Sequence, residues 1–318
     1  MRFFLLLTLV LSASSLKSQN EILIKEIEAT HGEQSKQLIQ ILTKTPYLGQ
    51  GNPKVTKHPV SKEECQLQAK KLSHNYQNPT FEKICGAKYM APLYNPAKEK
   101  DLDAKSCIDQ FEFPNIPCEY PLVWVRASEA AQICEAQGKR LCDDHEWEGA
   151  CEGSLEAPDY LFELAKNDTS SKQVKLRRKI HNSQVKKSWA YGDKRKIGVC
   201  SANSFKSEGC NGGDFSKCGS NTYPAGFSLS CKSSLGVYDL HGNAAEHMNL
   251  PLKKSEISSI SKKSLGVTEM KGSWFIFDKY KAHKDYCRWR APYWHGSRVN
   301  YKKSHHNYHL GFRCCKDI

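Results

Sequence analysis

Apolar residues along this chain fall into one dense leader and then into short, separated bursts. The leader, residues 3–11, has a single Arg before it and small residues at 12–15 behind it. That build predicts a secretory signal over residues 1–18, with the mature chain starting near residue 15–20. The run is too short to span a bilayer as a helix, and no later stretch approaches that length. Between 21 and 42, Ile24, Ile27, Leu38, Ile39, Ile41 and Leu42 alternate with Glu and Lys, which predicts one or two amphipathic helices. Gly49, Gly51, Pro53 and Pro59 mark a linker or exposed loop over 47–59. Ser61 then stands three before Glu64, a capping box that opens a helix through about Leu72. These pieces make up a helical N-terminal region, residues 19–84.

Two further helices are legible downstream. Ser128 can cap one over 129–137, ended by Gly138, with Ala130, Ile133, Cys134 and Gln137 on its inner face. Asp143, with Glu146 three on, opens another that runs to Gly153 and turns Trp147, Ala150 and Cys151 inward. Both point a cysteine into the protein, as a structural disulfide requires and a reactive thiol at a groove mouth does not. Elsewhere the apolar segments are short and separated by Gly, Asn and Ser, so few long periodic elements are expected.

Composition sharpens this picture. Fourteen cysteines, an even number behind an export signal, point to disulfides in an oxidising compartment, periplasmic or extracellular. The net charge of +13 predicts attraction to acidic partners such as acidic glycans. Lys and Arg concentrate in a block at about 168–196, expected to be a solvated insertion, and a basic cell-surface adhesin is one reading of it. No aromatic residues interleave its core of K-L-R-R-K to stack bases, so nucleic acid is not expected.

Residues 236–248 carry the most specific pattern. Val237, Tyr238 and Leu240 read as a short strand running into a turn at Gly242, followed by Asn243 and Glu246. Oxygen donors three residues apart can face one side and suit Ca²⁺. The same spacing also fits a helix start, with Asn243 as cap and Glu246 reaching back to it. Gly-Val-Tyr-Asp-Leu-His-Gly-Asn-Ala-Ala-Glu here resembles the G-L-Y-D-M-x-G-N-V-W-E-W signature of the formylglycine-generating enzyme (sulfatase-modifying factor) family. Residues 123–153 resemble its V-x-W…G-K-R-L-P-T-E-A-E-W-E stretch, and 189–193 its Y-P-W-G-D. Residues 271–274 resemble its R-G-G-S-W, and 310–314 its closing I-G-F-R-C. The likeness is assigned to a domain over 85–318.

The resemblance implies a disulfide-rich variant of the C-type-lectin-like fold, α+β and braced by Ca²⁺. It places Asn203 at a second Ca²⁺ site beside Asn243 and Glu246, with Asp214 as a further ligand. Carried over from the family, two disulfides are Cys134–Cys314 and Cys151–Cys287. The adjacent Cys315 then takes Cys142, because neighbouring cysteines bridge only under strain. The remaining pairs are assigned as Cys65–Cys85, Cys107–Cys118, Cys200–Cys231 and Cys210–Cys218.

In the family's aerobic enzymes, two cysteines beyond R-G-G-S-W bind copper(I) and oxidise a substrate cysteine. Here the first position falls on Phe275 or Ile276, and the second within 279–283, which holds no cysteine. Two soft thiolates are what copper(I) needs, so copper is not expected. A groove lined by Trp274, Phe275, Arg288, Arg290, Trp294, His295, His305 and His309 remains, able to hold a peptide, protein or acidic ligand. His305 and His309 would share a face for a metal if that segment were helical. The expectation is an exported, non-catalytic binding or accessory module with structural calcium. The alternative is an oxidoreductase of the same family acting on protein cysteine through a divergent metal site.

Overall fold

The amphipathic stretch near the start forms two helices, α1 (Arg2–His31) and α2 (Lys36–Lys44), and α3 (Lys62–Lys71) and α4 (Pro79–Cys85) follow. Strands β1 (Met90–Leu93) and β2 (Ser106–Asp109) lead to α5 (Ala127–Ala136), β3 (Arg140–Leu141) and α6 (Asp144–Glu152). Then come α7 (Phe162–Ala165), α8 (Ser171–Gln184), β4 (Ala245–Leu250), α9 (Ser258–Ser261) and β5 (Val267–Lys271). The last strands are β6 (Leu310–Phe312) and β7 (Cys314–Asp317). The computed structural model describes residues 2–165, 168–291 and 297–318 and, within α1, side chains from Leu16 onward.

Local chemistry accounts for the helix ends. In α3 the Glu64 N–H donates to Ser61 Oγ and the Ser61 N–H to Glu64 Oε2, closing the expected capping box. α6 starts as expected, with the Asp143 N–H donating to Glu146 at 2.9 Å, and ends at Gly153 with φ of 79°. α5 departs from expectation. Its cap is Arg126, whose N–H donates to Glu129 at 2.8 Å, and Ser128 lies buried inside the first turn.

Two small sheets organise the core. One runs β1-β2-β7-β3, all antiparallel. The other runs β5-β4-β6, with β4 antiparallel to β5 and parallel to β6. Cys314 and Cys315 are neighbours on β7, and successive strand side chains point to opposite faces. Cys314 therefore reaches Cys134 of α5 on one face while Cys315 reaches Cys142 on the other. The first face packs Ile133, Ala130 and Phe312 together with Leu23 and Ile27 of α1 and Leu38 and Leu42 of α2. Burial of such side chains contributes roughly 1.5–3 kcal/mol each, enough to make the N-terminal helices part of the main body. The second face packs Ile108, Trp147, Ala150, Leu240 and Met248.

Seven disulfides use all fourteen cysteines. Five join the cysteines assigned from sequence, Cys134–Cys314, Cys142–Cys315, Cys151–Cys287, Cys200–Cys231 and Cys210–Cys218. The other two are exchanged. The bonds are Cys65–Cys118 and Cys85–Cys107, not Cys65–Cys85 and Cys107–Cys118. The reason is the β1–β2 pairing, which sets Cys107 opposite Pro92 and beside the end of α4, where Cys85 sits.

The segment after 242 is not a helix start. Gly242 (φ 78°) and Asn243 (φ 53°) bend the chain directly into β4. A Cβ at Gly242 would stand 2.7 Å from the Ser201 carbonyl, so the bend has room only for glycine. The basic block at 168–196 is only partly solvated. Much of it is α8, and Val174, Arg177, Arg178 and His181 are buried along one side of that helix.

Candidate binding groove

Charge is concentrated inside this protein, and its layout decides what is left for a ligand. α6 carries Glu148 into the interior, where it accepts from Lys271 Nζ at 2.8 Å and from Nε and Nη2 of Arg290 at 3.0 Å. Arg290 continues to Asp159 at 2.7 Å, and Arg288 pairs with the same carboxylate. From α8, Arg178 binds Glu269 at 2.7 Å and His181 meets the Arg288 carbonyl at 2.7 Å. Burial alone would raise the pKa of Glu148, but Arg290 and Lys271 outweigh it and hold it at about 2. Arg288 and Arg290, expected in the groove, thus belong to this internal network instead.

A second buried centre joins Arg313 to Glu246 through two bonds of 2.6 Å, and Trp147 Nε1 adds a third at 3.0 Å. Both Glu246 oxygens are therefore occupied by a permanent cation and an indole. Asn243 donates to Glu112 at 3.2 Å and accepts the Tyr223 N–H at 2.8 Å. Asn203 is exposed, with only its carbonyl engaged, by Lys279 Nζ at 3.2 Å. Asp214 closes an exposed turn on Ser216 at 2.8–2.9 Å. Of the residues expected at the two calcium sites, Asn243 and Glu246 have their side-chain oxygens engaged by protein donors, and Asn203 and Asp214 are exposed. Two other groups have ligand spacing, Cys151–His241–Cys287 and Cys142–Glu146–Cys315. In each the two sulfurs are bonded to one another and are not thiolates.

Where β5 ends, Gly272 (φ 72°) turns the chain into Ser273-Trp274-Phe275-Ile276-Phe277. Phe275 and Ile276, at the place of the first copper cysteine, are packed with Val123, Trp124, Ala202 and Ala244. Phe275 is fully buried and its N–H donates to the Asn243 carbonyl, so it is core and does not line a groove. Beside it runs a continuous strip of rings. Tyr47 contacts Phe215 (centroids 4.6 Å apart), Phe215 contacts Trp124 (5.0 Å), and Trp124 contacts Tyr308 (6.4 Å). Tyr308 meets His309 (4.7 Å), which stacks on Trp274 (4.9 Å); Trp274 meets His283 (5.3 Å), which stacks on Trp289 (4.7 Å). His306 fills the angle between Tyr47 and Trp124. Burial, with Arg126 and His305 alongside, lowers His306 to about 4, so its ring is neutral near pH 7. The indole Nε1 atoms of Trp124 and Trp274 are buried and have no acceptor.

Residues 53–318 match the sulfatase-modifying factor enzyme 1-like domain, the FGE-sulfatase family. The chain belongs to this family. The match begins ahead of the capping box of α3 and runs through β7, so it takes in α3 and α4 as well as the strands. Solved structures similar in fold include CarF (12% identity, TM-score 0.36, covering 72% of this chain and 97% of that one). PvdO from Pseudomonas aeruginosa is another (12% identity, TM-score 0.30, 72% and 91%). No curated protein sequence matches the chain.

Of the residues expected to line a groove, Trp274 and His309 are stacked together in the strip. His305 is exposed next to it. Trp294 and His295 lie outside the described residues. His305 and His309 sit in loop before β6, not on a helix, so the i, i+4 spacing places no common face between them. Sequence reasoning did not place Tyr47, Trp124, Phe215, His283 or Trp289 in the groove, whereas His306 and Tyr308 lie within the 305–309 stretch that it did. Trp124 carried a signal, as the aromatic of the V-x-W motif; the others come from three separate loops that only the tertiary fold assembles.

Proposed function

We propose that this chain is an exported binding module of the formylglycine-generating family which holds an acidic peptide or glycan on its ring strip and performs no copper oxidation. One observation carries the reading. The place of the family's first copper cysteine is packed with Phe275 and Ile276, every cysteine is spent in a disulfide, and a strip of rings adjoins that place. Aromatic faces with Arg126, Arg195 and Lys279 near them suit a ligand with planar or apolar faces and negative groups. Seven disulfides suit an oxidising compartment, and no helix among the described residues is long and apolar enough to cross a membrane. Leu16 and Asn20 are buried, and Asn20 donates to the Leu42 and Leu48 carbonyls. A signal cleaved N-terminal to Leu16 would leave those contacts intact.

The test combines copper(I) titration by native mass spectrometry, incubation with a C-x-P-x-R peptide, and tryptophan fluorescence titration with acidic and neutral peptides and sulfated glycans. Expected are no stoichiometric copper, no conversion of the peptide cysteine, and saturable fluorescence change with acidic ligands only. Stoichiometric copper with turnover would replace this reading by an oxidoreductase acting on protein cysteine.

A further inference from the structure

α8 places two consecutive arginines in the interior, and they are not satisfied alike. Arg178 gives Nη2 to Glu269, but its Nε and Nη1 have no acceptor. Arg177 gives Nη1 to the Tyr160 and Leu252 carbonyls at 3.2 and 3.3 Å, and its Nε and Nη2 also have none. Each residue is 5% exposed, and among the described residues no carboxylate lies within ion-pairing distance of Arg177. Both arginines line a cavity of about 10 Å³ against Tyr160 and Arg290. The Arg290 guanidinium faces the Tyr160 ring at 4.9 Å.

The cations around this point are Arg177, Arg178, Lys271, Arg288 and Arg290, and for Arg177 the acidic groups that act on it, Glu256 and Asp168, do so from beyond ion-pairing distance. Four carboxylates face these cations, Asp144, Glu148, Asp159 and Glu269. An unpaired buried guanidinium is costly, and the N–H groups on four buried nitrogens without acceptors among the described residues add to that. A cavity of this size admits one particle about as large as a water molecule. A neutral water can take one or two of the N–H bonds but leaves the charge uncompensated.

We propose that this cavity is a binding site for a single small inorganic anion, chloride, held by Arg177 and Arg178. Tetrahedral oxyanions such as sulfate are too large for it. The anion would fix α8 to the rest of the network, and α8 in turn holds residues 288–290. His181 binds the Arg288 carbonyl, and Asn182 binds both the N–H and the carbonyl of Arg290. Occupancy is thereby coupled to the position of Trp289, at one end of the ring strip.

The experiment compares thermal unfolding of the whole mature chain in chloride, bromide, sulfate and gluconate at matched ionic strength, and locates bromide by anomalous scattering in crystals. Chloride and bromide should raise the midpoint by about 3–6 °C with a saturating dependence, since a ligand bound only by the folded state stabilises in that way. A bromide peak should stand between Arg177 and Arg178. Arg177→Met, which keeps the aliphatic stem, should abolish the halide dependence and the peak. Equal midpoints in all four salts, or crystals with water alone in the cavity, would overturn the proposal. So would an Arg177→Met protein that still answers to chloride.

Discussion

The internal charge network and the ring strip sit on either side of the segment that holds Trp289, and they use polar groups in opposite ways. In the network every carboxylate of Glu148 and Glu269 is claimed by a cation from another element, Lys271 of β5, Arg178 of α8 or Arg290 of the loop. In the strip, rings meet edge to face, tilted and stacked, while two buried indole N–H groups have no acceptor among the described residues. Much of the charge in this chain is spent holding elements together. A sequence with net charge +13 invites the opposite assignment.

The sharpest way to break this contrast is to remove Glu148. Glu148→Ala leaves Lys271 and Arg290 buried without their shared carboxylate, and the expected loss is about 3–5 kcal/mol in urea denaturation. Next in size is acid. Glu146 and Glu148 are both held at about 2, each against burial, the first by Arg140 and the second by Arg290 and Lys271. The stability they contribute is complete above their unfolded pKa of about 4.5 and is lost as pH falls toward 2. Denaturation midpoints should drop steeply across that window, and Glu148→Gln should make the drop shallower. A smaller effect belongs to the strip. Trp274→Phe keeps a ring but shortens the stack with His309 and His283, and should weaken ligand binding about fivefold, near 1 kcal/mol. Least of all, exchanging the exposed Lys172 and Lys179 of α8 for Gln should change stability by no more than about 0.5 kcal/mol and leave ligand affinity at physiological salt unchanged. A large loss of affinity there would restore the basic surface as the recognition element.

Local signals in the sequence survived into the structure. The capping boxes at Ser61 and Asp143 depend on residues three apart, and the inward cysteines of α5 and α6 follow from helical spacing. Failures arose where polarity disguised periodicity. Val174, Arg177, Arg178 and His181 stand at i, i+3, i+4 and i+7, the spacing of a buried helix face. A search for apolar residues passes over it because three of the four are polar. The two exchanged disulfides failed for another reason, since nearness along the chain says nothing about which strand β2 will pair with. The same holds for the strip, whose rings are spread from Tyr47 to His309 and share no local pattern.

The two cysteines on β7 join cores that lie on opposite faces of one sheet, and their partners are 180 and 173 residues upstream. Neither core can be locked until β7 is in place, because the strand that joins both lies far along the chain from the helices it secures. Until then Cys134 and Cys142 wait as thiols while the other cysteines are already available as wrong partners. Refolding from the reduced, denatured chain should therefore pass through mispaired species, and thiol–disulfide exchange should speed recovery of the native pairs.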